Sequence, residues 1–259
     1  MSISEGIETA LGVIEIELDV LYENPNLTDI GESCDDLSLN YRVLAGGYLL
    51  SKGDTDAFYH NLSRSGEIRL YFLKRCVDER VKNNPYFVTG NGIAIFDVLA
   101  ARNFDLAKKL ATLSPSVFFE DNEYEDDFCF NRFFNIVVSG DNLETETLSQ
   151  VVDQFEVALE GQPSAKLDIC KALLSKDQEI FNDAFYALLA ERAEDLEAEK
   201  EEFVNDELEN IVKSNIFIEG LAILNVAKIF GFDVLDEYIY CPRLARILME
   251  KPFPPKLKF

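Results

Sequence analysis

Apolar residues recur at three- and four-residue spacing through most of this chain, and strict alternation is scarce, so the pattern predicts helices and few strands. The spacing places helices at residues 4–22, 37–50, 54–65, 67–81, 93–101, 105–113, 126–138, 144–159, 165–174 and 178–202, with a helical but mobile 203–213. Residues 31–36 read as a polar loop. Gly46-Gly47 lowers helix propensity and lets another helix approach closely. Lys52-Gly53 ends a helix, while Asp54 and Ser164 stand where side-chain N-caps belong. The organising stretch is 215–249. Ser214 or Asn215 caps a helix over 216–230 whose strongly polar residues are Glu219, Asn225 and Lys228 alone, so it must sit inside other helices. Gly231 follows it as a left-handed C-cap. Pro242 then opens a terminal helix carrying Arg243 and Arg246, and the basic, proline-rich tail 251–259 is extended across the body.

One layout recurs. YLLSKGDTDAFYHNL from Tyr48, VLAARNFDLAKKLATL from Val98 and ALLSKDQEIFNDAFYALL from Ala172 each show a helix end, a short turn with Lys or Arg, and an acid-capped second helix. These are αα-hairpins of irregular period. The fold class expected is all-α, a compact stack of antiparallel αα-hairpins around a buried C-terminal helix. Residues 1–84 form an N-terminal helical part, 85–250 a C-terminal one and 251–259 the tail, together one continuous globular unit.

Composition supports a large core, with 47% hydrophobic residues including 20 Phe and 10 Tyr. Charge narrows the partners. Against 24 Lys and Arg stand 48 Asp and Glu, a net of −24. Such a field repels phosphate backbones and anionic membranes, and it steers basic proteins inward. Acidity also serves solubility alone. No secretory signal and no membrane-spanning run are read from the sequence. Five scattered cysteines without C-x-x-C fit reduced, buried thiols in a cytoplasmic protein.

Catalytic motifs are missing: there is no metal-protease, Walker, dinucleotide or G-x-S-x-G pattern, and His60 is the one histidine. The reading is therefore a non-enzyme with no cofactor, metal or catalytic residue. Two acidic clusters remain. Glu120, Asp121, Glu123, Glu125, Asp126 and Asp127 crowd a loop and helix start around Tyr124, expected to be exposed while Phe128, Phe130 and Phe133 or Phe134 face the core. Glu194, Asp195, Glu197 and Glu201 share the 178–202 helix. Both are either solvated faces or docking surfaces for a basic partner, whose cations would relieve the like-charge crowding.

The segments 167–192 (LDICKALLSKDQEIFNDAFYALLAER) and 218–248 (IEGLAILNVAKIFGFDVLDEYIYCPRLARIL) resemble bacterial polymorphic-toxin immunity proteins of family forty-nine. Gly220-Leu221-Ala222, Ala227, Gly231, Tyr238 and Pro242 carry the likeness, which spans about residues 90–250. A similar tyrosine-then-proline close occurs in immunity proteins of PoNe-type DNase toxins. The resemblance implies an all-helical protein that binds a cognate toxin, delivered by contact-dependent or type VI systems, and neutralises it by occlusion. It carries over no site residues. The competing reading is a helical-repeat adaptor with no toxin partner, and a carboxylate enzyme stands third.

Overall fold

The computed structural model describes residues 2–23, 27–81, 84–140, 145–199 and 208–258. They form eleven α-helices: α1 (Ile3–Glu23), α2 (Leu27–Lys52), α3 (Thr55–Asp78), α4 (Ile93–Ala100), α5 (Phe104–Leu113), α6 (Glu125–Ser139), α7 (Thr145–Ala158), α8 (Ala165–Ser175), α9 (Gln178–Glu199), α10 (Leu208–Asn215) and α11 (Ile218–Ile229). A short 3-10 helix, Arg243–Arg246, follows. Among the described residues no strand forms, and a lone bridge pairs Tyr238 with Cys241. The fold is all-α.

Local chemistry sets most helix ends. Asp54 accepts from the Ala57 N–H, Asn103 from Leu106 and Ser164 from Leu167, each filling an orphan donor of the first turn. Gly231, at φ +87°, closes α11, with its N–H on the Lys228 carbonyl and that of Phe232 on Ala227. That is the paired arrangement a left-handed C-cap makes, and glycine adopts it without Cβ strain. Arg102 does the same work after α4 at φ 57°, where a non-glycine residue is costlier.

Four expectations change. Residues 31–36 are no loop but the second and third turns of α2, because Ile30, Cys34, Leu37, Tyr41 and Leu44 are buried along one face. Burial of that stripe outweighs the local preference of glycine, serine and aspartate for turns. The two helices expected on either side of Gly66 are one, α3. Helix α11 begins at Ile218, with Phe217 as an N-cap that makes no side-chain bond, while the Asn215 amide turns back to the Ile211 carbonyl at 2.8 Å. The terminal helix shrinks to its 3-10 turn, and Pro242 lies just before it, not inside it.

Two apolar clusters fill the interior. The smaller joins α1, α2, α3 and α10 around Leu37, Ile68 and Phe72, and the larger joins α3 to α9 and α11. Gly46 carries the contact of α2 with α10: a Cβ there would lie 2.3 Å from Val212 Cγ1. From Gly220 to Ala227 every residue of α11 is buried, chiefly against α4. Two buried polar side chains, Asp97 and Asn225, are matched by partners across helices. Asp97, 0% exposed, accepts from Arg42 at 2.6 Å and from Ser65 at 2.5 Å, tying α4 to α2 and α3. Asn225 donates to the Leu99 and Ala100 carbonyls at 3.0 Å each, and its oxygen accepts from Arg102 Nε at 3.1 Å. The Ala100 carbonyl stands at the end of α4, where the helix supplies no donor, while that of Leu99 also accepts from the Arg102 N–H.

The tail crosses α3. Asp56 accepts from the backbone N–H groups of Glu250 and Lys251, Glu67 accepts from that of Leu257, and Tyr22 donates to the Lys258 carbonyl. His60, half-buried on α3, lies 6.0 Å from the Phe253 ring.

Candidate partner-binding surface

The acidic loop before α6 divides by task. Glu123 turns inward, and its carboxylate accepts from the backbone N–H groups of Thr89, Gly90 and Phe119. Burial pushes its pKa up, and the three amides oppose that by favouring the charged form. Asn131 holds the same turn from the other side, donating to the Thr89 and Gly90 carbonyls, while Arg69 donates to those of Tyr86 and Val88. Glu123 is thus a clamp for the segment between α3 and α4. Glu125 accepts from the Gln154 amide at 2.7 Å, and Asp127 faces Lys166 Nζ at 3.4 Å. Glu120 and Asp121 are exposed, Asp126 is half-buried, and Tyr124 is 79% exposed. Phe128, Phe130, Phe133 and Phe134 all face the core.

On α9, Glu194, Asp195 and Glu197 are exposed. Glu201 lies outside the described residues. Nearer the body, Glu191 accepts from the Ala165 N–H, and Glu199 pairs with Lys213 at 2.6 Å. The first turn of α8 therefore links the two acidic groups: Ala165 bonds Glu191 of α9, while Lys166 faces Asp127 of α6 and lies 3.9 Å from Glu219 of α11. Burial works against the Lys166 charge, but Glu219 and Asp127 outweigh it and raise its pKa. Asp127 and Glu191, far apart in sequence, thus both contact the first turn of α8.

A third surface escaped the sequence reading. Ile229, Leu235, Ile239, Leu244, Ile247 and Leu248 are 39–70% exposed, all within the twenty residues that start at the end of α11. This irregular segment is pinned from beneath. Arg246 donates to the Leu235 carbonyl and lies over the Tyr238 ring, Arg102 donates to the Arg246 carbonyl, and Tyr59 reaches the Ala245 and Ile247 carbonyls. The Phe217 N–H bonds the Tyr240 carbonyl at 2.7 Å. Its edge meets α9 where the Tyr238 ring approaches Phe185 and Tyr186. Periodicity could not find this face, because no repeat governs an irregular segment.

The family model of Immunity protein 49 matches residues 49–245. The chain belongs to the immunity protein 49 family. No curated protein and no solved structure matches it. The matched span runs from the end of α2 through the 3-10 helix, so it takes in α3, which the resemblance read from sequence left out. It contains both acidic groups and most of the 229–248 segment, and it leaves out α1.

Immunity proteins of this family act against polymorphic toxins. Among the described residues no group of three or more His, Cys, Asp or Glu could hold a metal ion. All five cysteines are free and buried. Burial raises their pKa, that of Cys76 to about 11 and those of Cys129 and Cys241 to about 12, so they stay protonated thiols. No described helix is long and apolar enough to cross a membrane.

Proposed function

We propose that this chain is a cytoplasmic immunity protein that binds a cognate toxin and neutralises it by covering its active face. The observation that carries the reading is the family match over residues 49–245. A basic toxin domain is the partner that the charge favours, since a net of −24 accelerates encounter with a cationic surface and repels nucleic acid and anionic membranes. Glu120, Asp121, Tyr124 and Asp126 with Glu194, Asp195 and Glu197 are the side chains offered to it. Glu123, Glu125 and Asp127 support this surface from below through the bonds they already make.

The test is co-expression of the toxin domain encoded in the neighbouring reading frame, with and without this chain. Wild type restores growth. Neutralising Glu120, Asp121, Asp126, Glu194, Asp195 and Glu197 to amides slows association about tenfold at low salt and flattens its salt dependence. Undiminished killing beside the wild-type chain refutes the immunity reading.

A further inference from the structure

Of the exposed large hydrophobic side chains, a third fall between residues 229 and 248, on a segment whose backbone is held by buried hydrogen bonds and by the Arg246 guanidinium. Exposed aliphatics on a rigid support are what an interface core requires, because ordering them costs little entropy on binding. Their electrostatic setting is also distinctive. From 228 to 248 three acids (Asp233, Asp236, Glu237) balance three bases (Lys228, Arg243, Arg246), inside a chain whose net charge is −24. Burying a locally neutral, apolar surface avoids stripping water from unpaired charge.

Helix α9 joins this segment to the acidic stretch. Tyr186, 54% exposed, touches the Tyr238 ring at a centroid distance of 6.0 Å. Glu197 stands about three turns further along the same face of α9, roughly 17 Å away. A standard interface covers about 800 Å² on each partner, wide enough to hold both.

We propose that these form one composite docking face, with the 229–248 aliphatics and Tyr186 as its dry core and Glu194 and Glu197 of α9 as its rim. The occupant is the cognate toxin domain, presenting an apolar ridge flanked by cations, and the proposal rests on the immunity reading above. A second copy of this chain is disfavoured because it would bring two bodies of charge −24 together. The α1 aliphatics Leu11, Ile16 and Val20 are also exposed but lie wholly outside the family match, whereas the composite face lies within it apart from Ile247 and Leu248.

The two parts act on different rates. Core contacts set dissociation and rim charges set association. Ile239 and Leu248 are 63% and 70% exposed, so the pair Ile239→Ser and Leu248→Ser leaves the melting temperature unchanged. Measured against the same toxin domain by surface plasmon resonance, the pair dissociates about 30-fold faster or more, with association within about threefold of wild type. The rim neutralisation Glu194→Gln and Glu197→Gln slows association and leaves dissociation unchanged. Val157→Ser, a 76% exposed position on α7, changes neither rate. Wild-type dissociation from the serine pair, while the wild-type chain still protects, overturns the composite face alone. A wild-type chain that neither binds nor protects overturns the immunity reading and this face with it. A dimer in sedimentation that the serine pair abolishes assigns the face to a second copy and overturns the proposal.

Discussion

Replacing Gly66 with alanine separates what helix propensity expects from what packing allows. Gly66 lies inside α3, where alanine is intrinsically favoured by about 1 kcal/mol. By that reasoning the substitution stabilises. The tertiary structure reverses the sign. A Cβ at this position would lie 2.1 Å from Val98 Cγ1 and 3.1 Å from Leu106 Cδ2, against an ordinary contact of about 3.5–4.0 Å. Val98 is 0% exposed, and a β-branched side chain in a helix has essentially one rotamer, so it cannot swing away. Helix α4 must move off α3 or Val98 must strain. Overpacking of this kind costs up to about 3 kcal/mol, which leaves a net loss of about 2 kcal/mol once propensity is subtracted. Urea denaturation reads this as a lower midpoint at constant slope. The double variant with Val98→Ala supplies the control: it recovers at least about 1 kcal/mol relative to the sum of the single changes, since the clash is gone. A Gly66→Ala chain more stable than wild type, or strictly additive changes, would refute the argument.

Asn225→Leu keeps the volume but removes the donor to the Ala100 carbonyl, the acceptor of Arg102 Nε and one of the two donors to the Leu99 carbonyl. Stranding buried polar groups costs about 1–3 kcal/mol each, so a loss of about 3 kcal/mol, or roughly 6–12 °C in melting temperature, is expected, and one under about 1 kcal/mol would contradict the latch. The tail responds to acid. The Lys251 and Glu250 N–H groups, with the Lys251 ammonium and His60 nearby, hold the Asp56 carboxyl below its ordinary range. A depressed carboxyl contributes its stabilisation above the unfolded value of about 3.9 and loses it as pH falls through the folded value. Amide exchange at Glu250 and Lys251, corrected for intrinsic rates, should therefore be flat from about pH 8 to pH 5 and rise only below about pH 4. Loss of protection near neutrality would exclude Asp56 as the anchor.

Much of the helix inventory was legible in the sequence because its causes are local. Asp54 and Ser164 cap the helices they precede, Gly231 ends α11, and Phe181, Phe185, Leu188, Leu189 and Leu196 of α9 are buried as their spacing implies. The buried α11 was readable too, since a helix nearly free of polar residues has nowhere else to go. Family membership was visible in the same stretch.

What escaped depended on contacts between distant segments. Gly66 and residues 31–36 carry weak local preferences against helix, and burial of Ile30, Cys34, Leu37 and Ile68 overrides them. Charge counting made Glu120 and Glu123 equivalent, yet one is solvated and the other clamps the turn at Thr89 and Gly90. The apolar face at 229–248 has no period at all, because Arg246, Arg102 and Tyr59 shape it from across the fold. Sequence by itself determined the all-helical class and the helices with strong caps and regular apolar spacing, since these act within a few residues. Tertiary structure alone decided which acids are spent internally and which side chains face a partner, since burial and hydrogen-bond satisfaction belong to the packed whole.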